Sequence, residues 1–260
     1  MNTIDGHVHS PFCPHGTDAP MEDYVKAAER KGIDVLVFTE HAPLPAGFSD
    51  PVPGQDSAMR PEDVGPYVAE CARLREQYAG RVDVRCGFEV DYIEGFEKET
   101  LEFLQQHPEA ARNSILSVHF VRLPGGWFCV DYSADELERK AEEAGLETIY
   151  RAYGDAILKA AGRPFGELNP PVLGHINLIH KFRERIAPKE DPVDWMNILK
   201  TASASGLRLD FNHAGLRKPD YGKTYPEEWM IGEARKLGLT LQTGSDAHSP
   251  EDVGRGFEKE

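Results

Sequence analysis

Seven short apolar runs punctuate this chain of 260 residues, and six of them lead directly to histidine or a carboxylate. The runs are Thr3–Ile4, Asp34–Phe38, Val82–Phe88, Ser114–Val118, Val172–Leu173, Leu207–Phe211 and Leu239–Gln242. Short runs of this kind suit buried strands. The segments between them read as helices. Met21–Lys31 carries Tyr24, Val25, Ala27 and Ala28 at helical spacing. Pro61–Tyr78 has proline at its start and Gly80 just past its end, Asp135–Ala161 is one long stretch rich in Glu, Ala and Leu, and Pro226–Leu237 stops before Gly238. Strands alternating with helices imply parallel β-α units. Seven such units closing on themselves make an α/β fold, a distorted seven-stranded barrel one unit short of the common eight. An open doubly wound sheet is the alternative. No repeat or shift of composition divides the chain, so residues 1–260 read as a single domain. The polar loop Pro43–Arg60, with prolines at 43, 45, 51 and 53, is expected to act as a lid or substrate loop.

The chemistry sits at the ends of the runs. His7 and His9 close the first, and residues i and i+2 of a strand face the same way, so both imidazoles look into one site. Asp5 shares that face and is expected to orient one of the rings. His41, Glu89, His119 and His175 follow the next four runs, and Asp246 and His248 follow the last. In a barrel those ends converge on the face where active sites are built. Convergent imidazoles and carboxylates suit zinc, manganese or iron. Strand logic does not place His15, in the loop Cys13-Pro14-His15-Gly16. His107 reads as a solvated helix end, and His180 and His213 as residues beside the site rather than ligands. Cys13 is near enough to the first strand to be a ligand by proximity, but reads instead as a small buried residue.

Charge and cysteine usage narrow the partners. A formal net charge of −15 disfavours nucleic acid and anionic membrane as partners. An anionic substrate would need local cations or metals to draw it in. The four cysteines form no C-x-x-C pair and no disulfide framework, which fits reduced thiols in a cytoplasmic protein. No leader-like segment and no run of about 18 apolar residues is expected to address the chain to a membrane.

The motifs in order are Asp5-Gly6-His7-Val8-His9-Ser10, Thr39-Glu40-His41, Gly87-Phe88-Glu89-Val90-Asp91, Leu116-Ser117-Val118-His119, Gly174-His175 and Gly244-Ser245-Asp246-Ala247-His248. Together they resemble the polymerase-and-histidinol-phosphatase (PHP) superfamily. Asp210 through Pro219, with its Asn212-His213-Ala214-Gly215-Leu216-Arg217 core, resembles the histidinol-phosphate phosphatase branch. The resemblance implies a cluster of two to three divalent metal ions. His7, His9, Glu89 and Asp246 would hold the first. Glu89 would bridge to a second, completed by His119 and His175. His15, His41 and His248 would hold a third. Members of this family usually continue through a further helix, so a short or absent closing helix is expected after His248.

The implied reaction is hydrolysis of a phosphomonoester, L-histidinol phosphate in histidine biosynthesis. Direct attack of an activated water on phosphorus is expected, with no phospho-enzyme. Asp246 or His248 would assist proton transfer. Arg217, which follows a strand end, is the first choice of phosphate anchor, because arginine offers a planar bidentate fork. Arg151 resembles a family arginine and is the second choice; Lys181 and Arg183 are the third. Asp91 and the Pro43–Arg60 loop are expected to meet the amine or imidazole. Three other readings compete: another phosphoesterase of the same superfamily, an amidohydrolase-like enzyme, and a non-catalytic metal-binding partner of a polymerase. The second lacks an evident metal-bridging lysine, and the third lacks a basic stripe.

Overall fold

The computed structural model describes residues 3–257. Strand β1 (Ile4–Val8) is followed by helix α1 (Met21–Arg30), β2 (Val35–His41), α2 (Val64–Gln77) and β3 (Asp83–Asp91). Helices α3 (Glu97–Gln106) and α4 (Pro108–Ala111) lead to β4 (Ile115–Ser117). A hairpin, β5 (Phe120–Leu123) and β6 (Gly126–Cys129), precedes α5 (Ala134–Ala144) and α6 (Leu146–Ala161). Then come β7 (Val172–Leu173), α7 (Trp195–Ala204), β8 (Arg208–Asn212), α8 (Glu228–Lys236) and β9 (Leu241–Gly244).

The seven long-range strands pair in parallel in the order β1-β2-β3-β4-β7-β8-β9. Helices cover the outside, so both faces of a strand are shielded; all seven residues of β2 are buried. The ring closes where β1 meets the segment after β9. Val8 pairs with Ala247 in parallel, His9 N donates to Ala247 O at 2.9 Å, and Asp246 N donates to His7 O at 2.8 Å. The α/β barrel expected from the sequence is therefore the fold. The chain just past β9 supplies the seam of the barrel. The expectation of a short or absent closing helix after His248 falls partly on residues 258–260, which lie outside the described residues.

Three local readings change. The long helix expected over Asp135–Ala161 is two helices broken at Gly145, whose φ of 85° only glycine adopts at little cost. Helices α3 and α7 and the β5–β6 hairpin were not expected. The hairpin turns at Pro124-Gly125 and packs Phe120 and Cys129 on Val52 and Ile93, with Phe48, Phe96 and Trp127 around them. This small aromatic cluster ties the Pro43–Arg60 loop down beside the site. Finally, Asp5 does not orient a histidine ring. Its buried carboxylate accepts from Ser245 N at 2.9 Å, Ser245 Oγ at 2.6 Å and Gly254 N at 2.8 Å, and so clips the barrel seam.

Asp5→Ala would strip the acceptor from three donors around a fully buried side chain. We predict a loss on the order of 3 kcal/mol in unfolding free energy, read as a lower urea midpoint at unchanged m-value.

Candidate active site

The sheet register brings the polar strand ends together. Parallel pairing sets His41 directly beside Glu89 and Asp91 beside Ser117. Glu89, buried, becomes the centre. Its Oε2 lies 3.2 Å from His7 Nε2, 3.4 Å from His9 Nε2 and 3.3 Å from His41 Nδ1. Its Oε1 lies 2.8 Å from His175 Nε2 and 3.6 Å from His119 Nε2, and accepts from Ser117 Oγ at 2.6 Å. Asp246 Oδ1 approaches His9 Nε2 at 3.3 Å and His248 Nδ1 at 3.5 Å. Asp246 itself has φ of 53°, a left-handed conformation that aspartate tolerates better than most residues and that re-aims its carboxylate.

Behind the imidazoles stands a second set of acids. Asp210 Oδ2 lies 2.8 Å from His7 Nδ1, Glu40 Oε1 lies 3.1 Å from His9 Nδ1, and Asp91 Oδ1 lies 2.9 Å from His119 Nδ1. Each contact fixes a ring and turns its other nitrogen toward Glu89, the arrangement that backs metal-binding histidines. Asp91, expected at the substrate, does line the cavity, and its Oδ1 also accepts His119 N at 3.1 Å. Asn212 donates to Asp210 at 3.1 Å and Asp246 at 3.1 Å, bridging the two acids. Gly244 makes this packing possible: a Cβ there would sit 2.6 Å from both Asp210 Oδ1 and His7 Cβ.

Glu40, Asp210, Asn212 and Ser117 were missed as functional residues. Glu40 stood in plain view in Thr-Glu-His, and Asp210 lies two residues from Asn212 on one strand face, but nothing local says which ring either acid would meet.

Charge in the cluster follows from these contacts. Burial opposes protonation of His119, yet Asp91 and Glu89 outweigh it and raise its pKa to about 10. Burial, reinforced by the nearby His9, pulls His248 down to about 4. Burial would raise Glu89, but His7, His41 and His119 hold it well below the usual carboxylate range.

The donor set fits metal ions. His7, His9 and Glu89 form one group whose ligand atoms lie within 4.8 Å of one another, and His41, Glu89 and His119 form another. His9 Nε2 and His41 Nδ1 are buried without a protein hydrogen bond, although acids crowd them at 3.3–3.4 Å. Lone pairs that converge without bonding one another are what a cation would organise. A third group joins His9, Cys13, His41 and His248. His15 is not in it. Its side chain is 44% exposed, 3.9 Å from Asp56, with its ring 6.1 Å from that of His41.

The cluster floors a cavity of about 520 Å³. Arg217, Lys218, Lys181, Asp56, Asp131 and Tyr132 line its wall. Arg217 Nη2 donates to Ser245 O and Asp246 O at 3.1 and 3.3 Å, which aims the guanidinium across the site, and its Nη1 is buried without a partner. Lys181 Nζ is held by Asp131 Oδ2 at 2.9 Å. Lys218 was missed; burial, then the neighbouring Lys181, depress its ammonium pKa. Arg151 does not reach the cavity. It lies on the outer face of α6, its side chain 62% exposed and 3.7 Å from Glu147, one helical turn away. Arg183 pairs with Glu227 at 2.5 Å, and His180 is held between Glu227 and Asp191. His107 is half-buried against Phe88 and Phe103 rather than solvated.

The PHP domain model matches residues 5–213, most of the chain and all but the last of these strand ends. The chain belongs to the PHP domain family. Its relatives include the histidinol-phosphatase of Bacillus subtilis, 38% identical over 99% of this chain and 98% of that one. A Deinococcus radiodurans protein assigned the same activity is 35% identical over 97% of this chain and 89% of its own. Among solved structures, a Listeria monocytogenes PHP protein assigned as a histidinol phosphatase superposes with a TM-score of 0.90 at 31% identity, covering 99% of both chains. The histidinol phosphate phosphatase of Lactococcus lactis, solved with zinc, L-histidinol and phosphate, shares the fold at a TM-score of 0.69 and 20% identity, over 96% of this chain and 87% of that one.

The acids behind the rings give a direct test. Asp210→Asn and Glu40→Gln keep side-chain size but weaken the grip on His7 and His9. We predict a loss of zinc affinity on the order of 10- to 100-fold at retained fold, measured by competition with a chromophoric chelator.

Proposed function

We infer that this chain is a metal-dependent histidinol-phosphatase, cleaving L-histidinol phosphate to L-histidinol and phosphate. The observation that carries the reading is Glu89 with five imidazoles around one carboxylate at the floor of a cavity that also presents arginine and lysine. Full-length identity to the Bacillus subtilis enzyme supplies the substrate. In this reading a single domain binds two to three transition-metal ions, zinc foremost. His7, His9, Glu89 and Asp246 hold one, Glu89, His119 and His175 another, and His41 and His248 hold the outer one. When bound, such ions supply an activated water near neutral pH and Lewis acidity toward phosphoryl oxygens.

The remaining work falls to the chain. Arg217, with a free buried Nη1, grips the phosphate, and Lys218 and Lys181 add positive charge against the molecule's net −15. Asp246 and His248, 3.5 Å apart, are placed to pass a proton between the reacting face and solvent. Asp56, on the Pro43–Arg60 loop, and Asp131 present anionic oxygens to the amine and imidazole of histidinol. Contacts to these remote groups favour this substrate over other phosphomonoesters by positioning its phosphate for attack.

Two measurements check this. In a phosphate-release screen, histidinol phosphate should be cleaved with a far higher kcat/KM than p-nitrophenyl phosphate or nucleotides, and chelator should abolish turnover until zinc or manganese is restored. Equal efficiency across unrelated esters would make this a general phosphatase. Separately, Arg217→Ala should lower kcat/KM by the equivalent of about 2–4 kcal/mol, while unchanged kinetics would move the anchor to Lys181 or Lys218.

A further inference from the structure

Just past β7 the chain makes a short 3-10 turn, Leu178–Phe182, which carries Leu178 and Lys181 into the cavity wall. A turn of this kind has poor hydrogen-bond geometry of its own and depends on outside anchors. Tyr153 supplies one: its hydroxyl accepts from Leu178 N and donates to Ile176 O, both at 3.1 Å. The other is His180, a buried residue of the same turn that does not line the cavity.

Both nitrogens of the His180 ring meet carboxylates. Nδ1 lies 2.9 Å from Glu227 Oε1, at the start of α8, and Nε2 lies 2.8 Å from Asp191 Oδ2, ahead of α7. A neutral imidazole has one N–H and one lone pair, so one of these contacts would set a lone pair against an oxygen. Two carboxylates at these distances require the doubly protonated ring. Burial opposes that charge, yet Asp191 and Glu227 outweigh it and raise the pKa above the ordinary histidine value.

The groups around the ring complete the network. Asp191 Oδ2 also accepts from Trp195 Nε1 at 2.8 Å, while Arg183 Nη1 and, at 3.4 Å, Lys223 Nζ pair with Glu227. Two acids thus face the imidazolium and two further cations, and no buried charge is left alone. Tyr150 stacks on the imidazole with ring centroids 5.9 Å apart. Asn177 Nδ2 flanks Nδ1 at 3.4 Å and donates to Tyr221 OH at 2.8 Å. Tyr221 stacks in turn on Tyr225, which lines the cavity.

We propose that His180 is a positioning residue: through Asp191 and Glu227 it latches the Leu178–Phe182 turn to the starts of α7 and α8, and so holds Lys181 where it meets the phosphate. This role rests on the reading of the cavity as a phosphate site. The latch is complete while the ring is charged, below the ordinary histidine pKa and on up to the raised one, and it is lost as pH climbs through that raised value.

Inorganic phosphate, titrated calorimetrically into the zinc-loaded full chain, tests the latch without turnover. Lys181→Ala should weaken binding on the order of 10-fold. His180→Gln should weaken it several-fold in the wild type but less than about twofold once Lys181 is alanine, because a latch acts only through the residue it holds. Zinc content should be equal in all four proteins. Nitrogen-15 spectra of the wild type need no variant to fold: one ring should carry protons on both nitrogens at about pH 7.5, where an ordinary histidine is neutral. That signal should be missing from His180→Gln. In Asp191→Asn, which keeps an acceptor for Trp195, the same ring should lose its proton at lower pH. Additive losses, unchanged phosphate affinity in either single variant, zinc loss in His180→Gln, or no doubly protonated ring in the wild type overturns the latch and leaves the phosphatase reading standing. A wild type that binds phosphate but does not cleave histidinol phosphate overturns the phosphatase reading alone. No phosphate binding by the wild type overturns both.

Discussion

Glu89 is a single buried carboxylate on which the rest of the site is organised. Five imidazoles stand within 3.6 Å of its oxygens, drawn from the ends of β1 and β2, from the residue two past β4 and from just beyond β7. Such crowding is stable only because acids lie on the far side of three of the rings, so that negative charge alternates with imidazole instead of imidazoles facing one another unopposed. The cluster is anionic and rich in lone pairs, which is the condition for holding small, highly charged cations. The barrel exists around this arrangement: its largely buried strands carry the ligands at or just past one shared end.

Two devices hold that geometry. One is register. Parallel pairing of β2 and β3 puts His41 beside Glu89 with no further adjustment, and Gly244 lets β9 lie against His7 and Asp210 where any larger residue would collide. The other is the seam. Asp5 ties Ser245 and Gly254 to the first strand, and through the neighbouring backbone bonds it sets where Asp246 emerges. Stability and chemistry therefore share residues: the acid that closes the barrel also registers the strand end carrying Asp246 and His248.

Electrostatics above the floor run opposite to those of the whole molecule. The chain carries a net charge of −15, yet the cavity wall gathers Arg217, Lys218 and Lys181. Burial and the neighbouring Lys181 depress the ammonium pKa of Lys218, and Asp131 holds Lys181 in place beside the cavity. The cavity wall presents both signs of charge, and the aromatic packing of Phe48, Phe96, Phe120 and Trp127 keeps the Pro43–Arg60 loop, with Val52, Asp56 and Ser57, along that wall.

The sequence alone determined the seven parallel strands and the histidines, Glu89 and Asp246 at their ends, but not the acids that back them. Those features are local: apolar runs, the two-residue alternation of a strand and the change to histidine or carboxylate at each run's end can be read within a few residues. Tertiary structure alone decided which acid backs which ring. His7 and Asp210 are 203 residues apart, and Asp5 and Ser245 are 240 apart, so their pairing depends on how the barrel closes rather than on any local pattern. The same holds where the local reading failed. Asp5 has the right alternation to orient a ring but is claimed by the seam. Arg151 has the right type but faces solvent, because the phase of α6 turns it outward. His15 lies half exposed at the edge of the cavity, its ring 3.8 Å from Cys13 Sγ, because a tight turn pinned by Glu40 sets where the loop after β1 runs. Residue type and spacing name the chemistry available; register, helix phase and turn geometry choose which side chains reach it.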